Sequence, residues 1–451
     1  MVGGPGDKGL KLGLLDTLRL AWADPDLRSR MSFIFLVFVV YALCINVPVP
    51  IGDLTPAQLS ELIKDNQILG LMNMFGGGAF ANASILTLGL GPYISASIIM
   101  QVLTMGNPAW KKELQEGGEY ARRQQNRRTR ILTIALCVVQ GFVILRMLND
   151  GLGLSLGAFD FGTIVAFWTA GAMGLLWLGE MVSERGIGNG VSLLIFAGIV
   201  ISLPSILQQL FGGIGSTVSW TGLIIITILF LATTWFIVMF TTAQRRIPIQ
   251  HMRRNFGGKM QGGKTSYLPI SVNMAGVIPI IFAIALIYMP FTIAQAMPPE
   301  SSLQNFFTTL GEFLSPNFSN WTLSNPTIML RGLSGTVVYM AMIFFFTYFW
   351  NAMTYNVEDI ANNLKRGGSY IPGIRPGKQT KDFLDNVVSK VTFVGALFLS
   401  IAALTQFVFP VFVPIQGLGQ LGGTSLLIMV SVALETMRQI EASILIRQYE
   451  S

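Results

Sequence analysis

Charge is scarce in this chain. Asp, Glu, Lys and Arg make up 12% of its 451 residues, against 52% hydrophobic, and soluble globular domains carry roughly twice that charged share. So little charge excludes an ordinary soluble fold. Only two cysteines are present, Cys44 and Cys137, in separate apolar runs, which excludes a disulfide framework or a Cys-based metal site and leaves both as small buried hydrophobes. The single histidine, His251, has no ligand-type neighbour and is expected at the surface. Apolar/polar alternation over about ten residues is also missing, so a bundle of helices fits better than a membrane β-barrel. What remains is a set of apolar runs near the roughly 20 residues that a helix needs to cross hydrocarbon. The expected fold is an all-α polytopic membrane protein.

Other absences narrow the function. No Asp, Glu, Lys or His falls at the centre of a span, where coupled carriers keep one; Asp160, Glu180 and Glu435 lie near span ends. The triple glycine Gly76–Gly78 lacks the Lys-Ser/Thr of a phosphate-binding loop. No Ser, Cys or His constellation reads as catalytic. Neither an enzyme nor a cofactor is expected. The first 30 residues have no long apolar core followed by a small-residue cleavage site, so the first apolar run is expected to be a retained span.

Ten spans are expected, at 31–48, 83–106, 131–149, 159–180, 190–210, 221–243, 272–292, 332–354, 389–411 and 422–437. Of 30 Lys and Arg, 27 lie in segments on the amino-terminal side of this topology, with only Lys64, Arg146 and Arg331 opposite. The positive-inside rule therefore places both termini in the cytoplasm. The expected organisation is a cytoplasmic segment 1–30, a first half 31–210 with spans 1–5, a second half 211–437 with spans 6–10, and a cytoplasmic tail 438–451. Five spans per half would make structural repeats inverted ones.

Two cytoplasmic loops, 244–271 and 355–388, are basic and longer than topology requires, which points to a large acidic or RNA-bearing partner. Their Gly and Pro content predicts two protruding hairpin-like loops. In "GIRPGKQT", Arg375 stands between turn-forming residues, so that a solvated arginine and a ligand for carboxylate or phosphate are both open readings. Branched aliphatics flank Gly and Pro breaks in "LGLGPYI" and "GVIPII"; helix packing explains them as well as a dewetting barrier does.

Five stretches, "NMFGGGAFANASILTLGLGPYISASIIMQ", "SERGIGNGVSLLIFAGI", "VNMAGVIPIIFA", "NNLKRGGSYIPGIRPGKQT" and "GGTSLLIMVSVALE", resemble in order the signatures of the bacterial SecY family, channel subunits of protein translocases. The resemblance runs from about residue 15 to the end. It implies two inverted five-helix halves in a clamshell around a central pore, passing unfolded polypeptides across the membrane and transmembrane segments sideways into lipid. It implies a waist ring of Leu90, Ile94, Val191, Ile195, Ile281 and Ile428. Leu90 and Val191 depart from the family's usual isoleucine in shape but not in polarity. It further implies a plug within about 68–82, comprising Met72, Asn73, Met74, Phe75, Gly76, Gly77 and Gly78. The spanning stretch that follows, "SILTLGLGPYISASIIMQ", would then be a helix bent at Gly91 and Pro92. Lateral-gate polar positions map to Ser95, Gln140 and Asn273. Contacts for a SecA-type motor ATPase or for the ribosome map to Arg245, Arg246, Arg253, Arg254, Arg375 and Lys378. Implied partners are small SecE- and SecG-type membrane subunits, the SecA motor, the ribosome with its RNA, signal sequences, nascent membrane proteins and bilayer lipid. The implied location is the bacterial inner membrane, or the thylakoid in cyanobacteria and plastids. The competing readings are an inverted-repeat secondary transporter for a small solute and a membrane-embedded scaffold.

Overall fold

The computed structural model describes residues 14–51, 58–59, 73, 76–152, 157–213, 219–251, 265–297, 301–314, 316, 326–412 and 422–450. They form two compact units, Met1–Leu207 with Val432–Ser451, and Gln208–Ser431. The first contains α1 (Leu14–Ala23), α2 (Pro25–Ile45), α3 (Gly91–Gly106), α4 (Pro108–Glu116), α5 (Gly118–Leu152), α6 (Ala158–Arg185) and most of α7 (Gly190–Gly212). The second contains α8 (Trp220–Thr242), β1 (Gln244–His251), β2 (Thr265–Ser271), α9 (Ile278–Ala296), α10 (Ser302–Leu314), α11 (Pro326–Thr354), α12 (Val357–Arg366), β3 (Ser369–Tyr370) and α13 (Lys378–Phe412). The last helix, α14 (Gly423–Glu450), starts in the second unit and belongs to the first from Val432 onward.

Each expected span falls on one of these helices: α2, α3, α5, α6, α7, α8, α9, α11, α13 and α14. Among the described residues, seven helices are long and apolar enough to cross a bilayer by length and composition. Exposed apolar side chains such as Phe35, Phe142, Trp177, Leu231 and Phe345 crowd their outer faces, as expected where lipid replaces water as the solvent. The expected all-helical chain needs one amendment. The two basic loops carry a three-stranded sheet, in the order β2-β1-β3.

A second amendment concerns the span at 83–106. It is not a bent helix: residues 76–90 are a run of turns and α3 begins only at Gly91. Pro92 lies in the first turn of α3, where a missing N–H costs nothing. Ahead of it the hydroxyl of Ser84, buried, accepts from Leu86 N–H at 2.9 Å, Thr87 donates to the Ser84 carbonyl at 2.5 Å, and Gly89 adopts φ +54°. Local bonds of this kind compete with the helix ladder and end it. Two further backbone bonds, Val49 N–H to Ala83 O at 2.9 Å and Ile85 N–H to Val47 O at 3.0 Å, tie the run to the residues after α2.

In the first unit, Phe80, Leu88, Cys137, Leu145, Trp168 and Ala172 share one buried core. The turn run is thereby held by its own apolar residues against α5 and α6. Gly171 of α6 has no space for a Cβ because the Ile85 carbonyl occupies it. At one end of this unit Arg130 of α5 donates to Glu180 of α6 through Nε at 2.8 Å and Nη2 at 2.7 Å. Arg128 reaches Glu113 of α4 at 3.3 Å with its guanidinium 4.6 Å from the Trp110 ring centre, which pins the short α4 to α5. In the second unit Phe236, Phe240 and Phe398 form one aromatic cluster and Phe282, Phe346 and Trp350 another.

Candidate functional site

The six expected waist residues share a local setting. Leu90 is the N-cap of α3 and Ile94 its fourth residue; Val191 and Ile195 lie in the opening turns of α7, Ile281 in the first turn of α9, and Ile428 in the second turn of α14. All four helices start at or beside glycine or proline: Gly91-Pro92, Gly190, Ile278-Pro279 and Gly423. Helices that begin inside a membrane protein need their free N–H groups satisfied. In α7 the Asn189 side chain accepts from Val191 N–H at 3.1 Å, and Ser183 of α6 accepts from Gly190 N–H at 2.8 Å. In α14 Thr405 accepts from Gly423 N–H at 2.7 Å. Leu90, Ile195 and Ile428 are buried; Ile94, Val191 and Ile281 are half-buried. One Val191 methyl faces Gly179 of α6, 3.3 Å from where a Cβ would stand. Within the first unit this fixes the start of α7 against α6.

The candidate plug is described in part; Met72, Met74 and Phe75 lie outside the described residues. Asn73 is helical. Its carbonyl accepts from Gly78 N–H at 2.7 Å, its side-chain oxygen accepts from Ala81 N–H at 2.9 Å, and Gly77 holds φ +67°. A six-to-one bond around a left-handed glycine is the Schellman helix terminus. Gly77 also presses into a tight seat, where an added Cβ would stand 2.9 Å from Ile45 Cδ1 and 3.2 Å from Gly198 Cα. Gly198 lies one turn beyond Ile195 on α7. Immediately after, Ala79 and Phe80 are buried at 0% and 1% exposure, so the segment is anchored on its carboxyl side and seated on α7 through backbone.

Of the candidate gate positions, Ser95 lies on α3, Gln140 midway along α5, and Asn273 in the turn between β2 and α9; all three are half-buried. The Asn273 Oδ1 is enclosed with no hydrogen-bond partner among the described residues. Burying such an oxygen without a hydrogen bond costs free energy, so it is ready to accept one. Ser95 and Gln140 belong to helices that pack side by side within the first unit.

The basic loops depart from two separate hairpins. The first is a hairpin of β1 and β2, but the second is α12, β3 and two tight turns, and the two join through Gln250↔Tyr370 and His251↔Ser369. The Tyr370 hydroxyl donates to Gln250 Oε1 at 3.0 Å. Ile247, Ile270, Val357, Ala361, Ile371 and Leu384 form a core beneath them, which makes one small domain of loops that sequence reading keeps apart.

On this platform "IPGIRPGK" makes successive Pro-Gly turns. Ile374 N–H donates to Ile371 O at 3.1 Å with Gly373 at φ +81°, and Gly377 follows at φ +108°. Glycine is needed at such angles. Ile374 packs onto the core, and Arg375 is exposed with its carbonyl tied by Thr380 Oγ1 at 2.9 Å. Arg245, Arg246 and Lys378 are exposed as well, whereas Arg253 and Arg254 lie outside the described residues. Sequence reading missed the clamp below, Lys381 Nζ to Glu358 Oε2 at 2.7 Å. The hydrogen bond from Lys381 lowers the Glu358 carboxyl pKa, and Glu358 in turn raises that of Lys381. No sequence signal pairs these two, 23 residues apart.

The sequence model of the family described as SecY matches residues 84–437. The chain belongs to the SecY family. A protein translocase subunit SecY of Synechocystis sp. is 38% identical over 435 residues, covering 94% of this chain and 93% of that one. A protein translocase subunit SecY of Pseudomonas aeruginosa is 38% identical over 436 residues, with the same coverage of both chains. A solved structure concerned with the plug domain of the SecY protein shares the fold at TM-score 0.64 and 20% identity, covering 92% of this chain and 91% of that chain. The fold is thus a mostly helical polytopic one, as the apolar runs predict, with the small sheet of the basic loops added to it.

Proposed function

We propose that this SecY family chain is the channel subunit of a protein translocase, passing unfolded polypeptides through the membrane and releasing apolar segments into lipid. The observation that carries the reading is that four helices start at Gly or Pro breaks and bear six aliphatic residues at or in their opening turns, and that in the first unit a segment is seated on α7 through Gly77. Aliphatic side chains exclude water and ions by dewetting and yield to a larger chain that forces them apart. Such a barrier needs no charged filter, and the sequence supplies none.

In this reading Asn73, Gly76, Gly77 and Gly78, with Met72, Met74 and Phe75, form the plug that leaves its seat when a polypeptide enters. Ser95, Gln140 and Asn273 exchange hydrogen bonds as the lateral gate parts, each worth about 1 kcal/mol; a moderately apolar signal sequence can offset that much. Arg375 and Lys378, with Arg245, Arg246, Arg253 and Arg254, dock a SecA-type motor or the ribosome, pairing with carboxylates or RNA phosphates. The motor or translation supplies the energy, since the chain itself carries no nucleotide-binding loop. Small SecE- and SecG-type subunits complete the complex in the inner membrane, with both termini of this chain cytoplasmic.

The test is reconstitution. Vesicles containing this chain, its small subunits and a SecA-type motor should protect a signal-bearing precursor from added protease in an ATP-dependent manner. No protection, with a related translocase active in parallel, would overturn the reading. A small-solute transporter would instead give saturable uptake with neither motor nor precursor.

A further inference from the structure

The helix α10 lies at the end of α9 opposite the basic platform, and it is not itself a span: it has 13 residues. Its surface divides into three sectors. One faces protein, with Gly311 so close to α9 that an added Cβ would stand 2.9 Å from the Phe291 ring; α10 also packs along α11. A second is polar and exposed, at Asn305, Thr309 and Glu312. The third is apolar and uncovered: Leu303 is 61% exposed, Phe306 60% and Phe313 49%, with Leu310 half-buried between them. These four recur at i, i+3, i+7 and i+10, one continuous helical face.

Depth decides what covers that face. Phe291 stands five residues before the end of α9, inside its apolar stretch, so Gly311 and the helix carrying it are held level with the edge of the hydrocarbon. The two helices against which α10 packs also carry uncovered apolar side chains, Leu286 and Met289 of α9 and Leu333 and Val337 of α11. No Lys or Arg occurs between Ser302 and Leu314, so nothing on the helix requires an anionic protein partner or a specific headgroup. A helix with water on one side, protein on another and an apolar strip at hydrocarbon level has the partition of an interfacial membrane helix.

We infer that α10 is a membrane-surface anchor, its Leu303–Phe306–Leu310–Phe313 face immersed in the leaflet opposite the basic platform and its Asn305–Thr309–Glu312 face in water. It thereby holds the adjoining ends of α9 and α11 at a fixed depth. The occupant is acyl chain; no second copy or soluble partner is required.

Spin labels test this in the complete chain after reconstitution into phosphatidylethanolamine/phosphatidylglycerol nanodiscs, with Cys44→Ala and Cys137→Ala as background. Labels at Phe306→Cys and Phe313→Cys should relax more with oxygen than with a nickel chelate, and labels at Asn305→Cys and Thr309→Cys should do the reverse. The inference is overturned if all four positions favour the nickel chelate, or if Phe306 and Phe313 are shielded from both reagents, which would mean that protein covers the face. Should a cysteine variant fail to fold, Phe306→Trp in the unlabelled chain serves instead: the added fluorescence should be quenched by lipids brominated on their acyl chains, and unquenched fluorescence would also sink the idea.

Discussion

At the scale of single residues, Gly77 and Gly78 make a controlled comparison. Both hold left-handed backbone, φ +67° and +90°, where a side chain costs about 1–2 kcal/mol. Only Gly77 meets neighbours: an added Cβ would press on Ile45 Cδ1 and on the Gly198 backbone, whereas at Gly78 it meets nothing within 4 Å. The Ile45 side chain can turn aside, but backbone at 3.2 Å cannot. Gly77→Ala is therefore expected to unseat the segment more than Gly78→Ala, raising resting ion leak through reconstituted channels by roughly 5- to 30-fold, the range for one or two kcal/mol. Equal leak from the two variants would mean that the seat on α7 does not hold the channel closed. The triple glycine is visible in the sequence, and so is its ease of breaking. Which glycine is sterically committed is not, because Ile45 and Gly198 reach it only through the packing of α2 and α7.

At the scale of elements, the turns that carry Arg375 are legible and the platform beneath them is not. Two Pro-Gly pairs in six residues spell successive turns, because proline presets one angle and glycine accepts the other. The pairing of β1 with β3 joins residues 120 apart, Gln250 and Tyr370, and no local pattern specifies a partner at that distance. The second span shows the opposite failure. Pro92 fits a kink inside a helix or the first turn of a new one, and the local sequence alone does not choose; the Ser84 bonds and left-handed Gly89 decide for the new helix. The platform yields its own prediction. At Gly373 and Gly377 a Cβ would meet nothing within 4 Å, so alanine there acts on the backbone alone and shifts Arg375 without disturbing the core. Gly373→Ala with Gly377→Ala should cut motor-driven translocation at least tenfold, as Arg375→Glu should, while the melting temperature and recovery of the complex stay near those of the parent. Normal translocation by the double variant would show that the angle at which Arg375 is presented is irrelevant.

At the scale of the whole molecule, the proposed aliphatic barrier rests on sequence resemblance, which names Ile195 and Ile428 among its members. Both are buried, at 6% and 3% exposure, and each lies two turns or less from a helix start. Sequence resemblance assigns them to one ring, and the dewetting argument makes that assignment testable without any distance between them. A single aliphatic constriction fails as soon as one member becomes polar, because one hydrogen-bonding group is enough to hold water in a narrow apolar gap. Two separate barriers in series behave otherwise: wetting one leaves the other dry. Ile195→Asn and Ile428→Asn should therefore each raise chloride and sodium leak from vesicles on their own, and the double variant should leak less than the product of the two increases. Silent single variants with a leaking double variant would place Ile195 and Ile428 in different barriers, and would require the waist of this channel to be redrawn.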